Sequence, residues 1–254
     1  MMQMFHNTML TSALAIDRTS TPISHVLGGN AVEATGLTVV YGRLPVLRDV
    51  DLEIAAGESV AVMGPNGAGK STLLNCLVGA VRPAAGRVRW FGEASARCNF
   101  VRRQIGFLGQ ETGLYDELTA TENLLFAGRM YGVSDVHDRV ANLLADGNLR
   151  PQAHRPVGQL SQGMRQRVAI LRALVHEPRL LVLDEPSANL DAQGREWLER
   201  LHARWRSAGR AICFASHDAA QCRALADRIV HLDAGRVVAI ERCDCPATQL
   251  QGCA

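Results

Sequence analysis

The chain has 254 residues, 47% of them hydrophobic and 20% charged, with a formal net charge of +2. That length suits one large domain or two small ones and the composition is globular. The small net charge and scattered arginines do not indicate a nucleic-acid surface, and no apolar run approaches the ~18 uncharged residues that suggest a membrane span.

The opening "MMQMFHNTMLTSALAI" lacks basic residues ahead of its apolar stretch, which argues against a secretory signal. Residues 1–33 show no clear periodicity and are expected to be a disordered extension or an overcalled start. Next, "GLTVVYG" and "VLRDVDLEIAAGESVAVMG" alternate apolar and polar residues and predict short strands, the last ending at Met63. After the segment "GPNGAGKST", Leu73, Leu74, Leu77 and Val78 fall at helical spacing. "GRVRWFGE" reads as a strand pair and "QIGFLGQ" as a strand ending at Gln110. Thr119, with Glu122 three residues on, predicts a capping box at the head of a helix. Residues 112–158 are expected to form a helical insertion. "SQGMRQRVAILRALVHEP" predicts a further helix, and "RLLVLDEP" a strand buried on both faces in a parallel sheet. A last α/β unit follows: helix "EWLERLHARWRSAG", strand "RAICFAS", helix "AAQCRALAD" and terminal hairpin "RIVHLDAGRVVAIE". The folded unit is therefore expected over 34–242, with 243–254 a short tail.

Seven cysteines, Cys76, Cys98, Cys213, Cys222, Cys243, Cys245 and Cys253, form no C-x-x-C pairs, so reduced thiols are expected. The tail "ERCDCPATQLQGCA" clusters three of them without the histidine or second pair that a soft-metal site needs.

Gly64, Gly69, Lys70 and Ser71 satisfy G-x-x-x-x-G-K-[ST] between a predicted strand and a predicted helix, the context in which this pattern binds a nucleotide triphosphate. The whole loop, Gly64, Pro65, Asn66, Gly67, Ala68, Gly69, Lys70, Ser71 and Thr72, can curl its N–H groups toward phosphate oxygens. Lys70 is the only lysine of a chain with 26 arginines. It would reach the β- and γ-phosphates, and the Ser71 hydroxyl would ligate Mg²⁺. Asp184 ends the apolar strand and would orient the metal; Glu185 can polarise an attacking water.

With these two motifs, the region from about Gly36 to Glu241 resembles an ATP-binding cassette (ABC) ATPase, the nucleotide-binding subunit of an ABC transporter. "LSQGMRQR" at 160–167 is similar to the family signature, Gln110 to its Q-loop, "ANLD" ending at Asp191 to its D-loop, "ASHD" to the switch segment with His217, and Tyr41 to the aromatic that stacks on adenine. The resemblance implies an α/β P-loop NTPase with a RecA-like core, a small antiparallel β subdomain and an α-helical subdomain. It also implies two cassettes, identical or different, closing head to tail, so that Ser161 and Gly163 grip the γ-phosphate held by the other chain's Lys70. Glu185 is then the general base, His217 bonds the γ-phosphate, Gln110 touches Mg²⁺ and water, and Asp191 communicates across the interface. Gln162 and Met164 depart from the common "LSGGQ", although "LSxGM" occurs in some exporter subfamilies.

The same resemblance implies integral-membrane transporter subunits as partners and a place on the cytoplasmic face of the membrane. "LYDELTATENLLFAGRMYGV" resembles ABC-2-type exporters, a group that includes haem or cytochrome-maturation exporters. An ATPase of a soluble ABC system, such as iron–sulfur cluster assembly, is the alternative. A kinase or GTPase outside the family would leave "LSQGMRQR" and His217 unexplained.

Overall fold

A computed structural model describes residues 29–92 and 99–243, in the order β1 (Asn30–Tyr41), β2 (Leu44–Ala55), β3 (Ser59–Met63), α1 (Lys70–Leu77), β4 (Ala85–Trp90), α2 (Asn99–Arg102), β5 (Ile105–Leu108), α3 (Ala120–Tyr131), α4 (Val136–Asp146), α5 (Gln162–Leu174), β6 (Leu180–Asp184), α6 (Ala192–Ser207), β7 (Ala211–Ala215), α7 (Ala219–Leu225), β8 (Arg228–Asp233) and β9 (Arg236–Arg242). Residues 1–28, the 93–98 segment with Cys98, and the tail from 244 with Cys245 and Cys253 lie outside the described residues.

Strands that are apolar at every position need cover on both faces, and β6 and β7 are buried at all five positions. They lie in a six-stranded sheet of order β5-β6-β7-β3-β8-β9, parallel except for the β8–β9 hairpin. The two-residue period divides their side chains between two cores. Val60, Val62, Leu180, Val182, Ala211 and Cys213 pack with Leu73, Leu74 and Leu77 of α1. Ala61, Leu181, Leu183, Ile212 and Phe214 pack with Val168 of α5 and with Trp197 and Leu198 of α6.

A second sheet, β2-β1-β4, is antiparallel and shares the first of these cores. It corrects two expectations. Asn30 already pairs with Ala55 and Val32 with Trp90, and Ala31 and Val32 are buried, so residues 30–33 belong to β1 rather than to an extension. The expected strand pair after Gly86 is the single strand β4, whose partner is β1. β5 also ends at Leu108, two residues before Gln110.

The helical part contains α3, α4 and two short 3-10 turns at Arg150–Gln152 and Val157–Gln159. The Thr119 side chain accepts from Glu122 N, and the Glu122 carboxylate accepts from Thr119 N at 2.8 Å, which is the predicted capping box. Gly132, left-handed at φ 69, closes the far end of α3.

Candidate nucleotide site

Gln110, Glu185, His217 and the 64–72 loop follow β5, β6, β7 and β3, which are four consecutive neighbours in the sheet. The parallel register puts Asp184 beside Ala215 and Ala215 beside Val62, so these loops leave the sheet at one level. The carboxyl edge of an open α/β sheet is where ligands bind.

The 64–72 loop is clamped from two sides. At Gly64 a β-carbon would stand 2.0 Å from the Leu232 carbonyl oxygen, and at Gly69 it would stand 2.9 Å from Leu47 Cδ2. Gly235 N, in the β8–β9 turn, donates to Ala68 O at 3.0 Å. Gly69 itself needs φ 103 to turn the chain into α1. Lys70 is 8% exposed, and its ammonium donates to Gly64 O at 2.7 Å and Pro65 O at 3.1 Å, so its charge is held inside the loop. Gln110 Nε2 donates to Ser71 Oγ at 3.0 Å, which brings together two of the three residues expected around a metal. Asp184, the third, is 4% exposed at the end of β6.

Glu185 adopts φ 49, a left-handed conformation that is strained for a residue with a side chain. Its N–H donates to Ala215 O and its carbonyl accepts from Ala188 N, each at 3.0 Å. Its carboxylate lies 2.9 Å from Nδ1 of the exposed His217. Gln221, which the sequence motifs did not single out, joins the two segments. Its Oε1 accepts from Ser187 Oγ and from Ser216 Oγ, both at 2.9 Å. No local pattern marks such a residue; only its place one turn into α7, after the Asp218 cap, puts it there.

Ser161 caps α5 and accepts from Met164 N at 3.3 Å. Asp191 caps α6 by accepting from Gly194 N at 2.7 Å and pairs with Arg167 at 2.8 Å. The Gly194 N–H, with Arg167 adding to it, holds this exposed carboxyl below its ordinary value. Tyr41 stands 53% exposed at the β1–β2 hairpin, which runs on into Val46 and Leu47 beside Gly69. Ser161, Gly163 and Asp191 thus group around the 185–191 turn, and Lys70, Ser71 and Gln110 around the phosphate loop.

A family model described as ABC transporter matches residues 47–188, from β2 through the turn after Glu185. The chain belongs to the ABC transporter family of ATP-binding cassette ATPases. It is 38% identical over 217 residues to the sulfate/thiosulfate import ATP-binding protein CysA of Bordetella parapertussis, covering 82% of this chain but only 60% of that protein's length. It is 34% identical over 234 residues to the Nod factor export ATP-binding protein I of Rhizobium johnstonii, covering 87% of this chain and 75% of that one. Among solved structures, the dimeric post-hydrolysis state of the ATP-binding cassette MJ0796 bound to ADP and Pi superposes with a TM-score of 0.78 at 30% identity, over 83% of this chain and 98% of that one. The fold is therefore that of a P-loop ABC cassette. No helix among the described residues is long and apolar enough to cross a membrane.

Proposed function

We propose that this cassette binds MgATP on the 64–72 loop, hydrolyses it in a head-to-tail pair of cassettes, and so drives integral-membrane transporter subunits from the cytoplasmic face of the membrane. The observation that carries this reading is the Glu185–His217 contact of 2.9 Å, made after β6 and β7, of which β7 lies beside the strand that ends in the Lys70 loop and β6 is next after it. Glu185 takes a proton from the attacking water as its oxygen bonds the γ-phosphorus and the bond from that phosphorus to the β–γ bridging oxygen breaks, releasing ADP and inorganic phosphate. His217 Nδ1 bonds the Glu185 carboxylate, and Nε2 is left to meet the γ-phosphate. Lys70 swings from the Gly64 and Pro65 carbonyls to the β- and γ-phosphates. Tyr41 stacks on adenine.

Ser71 Oγ, Gln110 once its amide oxygen replaces the Nε2 that now donates to Ser71, and the buried Asp184 carboxylate acting through water would hold Mg²⁺, an ion that takes oxygen donors. When bound, that ion neutralises phosphate charge. In the closed pair, Ser161 and Gly163 contact the γ-phosphate held by the second cassette, and Asp191 lies along the joint; a C2 or pseudo-C2 pair gives two such sites.

Among cargo directions, export is the reading adopted here. It is supported by the resemblance of residues 114–133 to ABC-2-type exporters and by the fuller length match to the Nod factor export protein than to the sulfate import protein. The same segment leaves Tyr115, Phe126 and Met130 exposed, the two rings in edge contact at 5.4 Å, and this apolar patch suits a membrane subunit's docking helix.

The test is phosphate release by the purified chain, alone and with copurifying membrane subunits. Glu185→Gln should lose about 10²–10⁴-fold in rate while still binding ATP. Hydrolysis unchanged in that variant removes the general-base assignment.

A further inference from the structure

The signature helix α5 bears on the catalytic turn of its own chain through one face. Gly163, Gln166 and Arg167 are spaced i, i+3, i+4, so they lie one above another on that face. A β-carbon at Gly163 would stand 2.8 Å from Asn189 O. Gln166, 8% exposed, donates through Nε2 to Pro186 O at 3.3 Å and to Glu185 O at 3.4 Å. Arg167 pairs with Asp191 at 2.8 Å. The whole 185–191 segment is therefore docked on the first two turns of α5. Two of its residues are left-handed, Glu185 at φ 49 and Asn189 at φ 63, and Glu185 lacks the short polar side chain with which asparagine tolerates that region.

We infer that Gln166 is a positioning residue: by binding the Glu185 and Pro186 carbonyls it fixes the left-handed turn that aims the Glu185 carboxylate, and it ties that turn to the helix carrying Ser161 and Gly163. The inference rests on the role proposed above for Glu185. A left-handed residue persists only where its surroundings over-determine it. Among the described residues, Ala215 O, Ala188 N and Gln166 Nε2 are the three groups bonded to the Glu185 main chain. Of the three, only Gln166 comes from the helix that faces the second cassette's nucleotide. Engagement of Ser161 and Gly163 at one site is thereby transmitted through Gln166 to the general base of the other.

The chemistry of the contact supplies its own control. Two carbonyls accept and cannot donate, so residue 166 must donate. Leucine cannot. A glutamate can do so only when protonated, and burial against two carbonyl dipoles pushes a carboxyl up above its usual range.

The experiment compares wild type, Gln166→Leu, Gln166→Glu and Glu185→Gln by melting, binding of a fluorescent ATP analogue, and steady-state hydrolysis from pH 5.5 to 8. Gln166→Leu is expected to melt cooperatively and bind nucleotide as wild type does, with kcat lowered about 10–100-fold and KM unchanged. The activity of Gln166→Glu relative to wild type should rise as pH falls. A Gln166→Leu rate within about twofold of wild type, or a rate loss matched by an equal loss of affinity, overturns the proposal. So does a Gln166→Glu to wild-type ratio that is flat with pH. If the leucine variant does not fold, the glutamate ratio decides; if neither folds, Gln166 is a packing residue and the proposal is wrong. Retained activity in Glu185→Gln sinks the catalytic reading as well, whereas an inactive Glu185→Gln beside a fully active Gln166→Leu sinks the positioning role alone.

Discussion

Gly64→Ala adds one methyl group where the phosphate loop leaves β3. The position is not in the left-handed region, so the substitution carries no φ penalty and its cost is contact alone. The new carbon would stand 2.0 Å from Leu232 O and 3.1 Å from Leu232 C, and ordinary contact begins near 3.4 Å, so the loop or the end of β8 must move by more than 1 Å. Overpacking of this kind costs about 1–3 kcal/mol, and a main-chain obstacle that cannot rotate away puts the value at the upper end. The comparison is Gly67→Ala, at φ 81 with nothing within 4 Å, where only the conformational cost of roughly 1 kcal/mol applies. At about 2–4 °C per kcal/mol, Gly64→Ala should lower the melting temperature by roughly 6–12 °C and Gly67→Ala by a few degrees. Gly64 O also accepts the Lys70 ammonium, so a moved loop should weaken nucleotide binding as well. Calorimetry with and without ATP measures both. Equal melting temperatures for the two variants would refute the steric argument.

Lys70→Arg should fold and keep its charge yet lose about 10²–10³-fold in phosphate release, as removal of a preorganised donor does; turnover at the wild-type rate would show that any cation serves. Burial holds His202 and His176 at about 3 and about 4, against an ordinary 6.5. Because the folded values lie below the unfolded one, stability is lost as pH falls through 6.5, and each histidine should remove about 2 kcal/mol by pH 5. Urea titrations at pH 7 and 5 test this, and His202→Gln should flatten the slope. Burial pushes the thiols of Cys76 and Cys213 up to about 11 and about 12. Iodoacetamide at pH 8 should leave both unlabelled in the native chain and label them on unfolding, as read by mass spectrometry; rapid native labelling would contradict their packing.

The legible parts of this chain are those whose chemistry is local. Glycines, lysine and serine must be contiguous to wrap a phosphate, and an apolar strand ending in Asp184 advertises its own burial, so both were readable without coordinates. Thr119 and Glu122 declare a helix start because the capping box closes within four residues. By contrast, Ala31 and Val32 look like the end of an unstructured lead-in until Trp90 and Ala55 are placed beside them. Pairing of β1 with β4 joins residues as far apart as Val32 and Trp90, and no pattern of that length is visible in one sequence. The contacts of Gln166, although it lies within the signature stretch, and of Gln221 are illegible for the same reason. Their partners are main-chain carbonyls and serine hydroxyls brought from elsewhere in the fold, which impose no periodicity on the residues that bind them.

Lys70 joins the two kinds of information. Composition says that this chain uses arginine wherever a charge need only be wet, and that it departs from the habit once. The structure supplies the physical reason. The ammonium reaches back over five and six residues to the Pro65 and Gly64 carbonyls at 3.1 and 2.7 Å, within a loop that Leu232, Leu47 and Gly235 hold from outside. A group with three donors on a flexible stem can leave those carbonyls for phosphate oxygens by rotating in place. A guanidinium has its donors fixed in a plane and fits one of those two geometries only at the expense of the other. The loop cannot widen to admit it, because Gly64 already lies against Leu232. The same clamp that makes Gly64 intolerant of a methyl group therefore makes position 70 intolerant of arginine, and the two substitutions test one constraint from opposite sides.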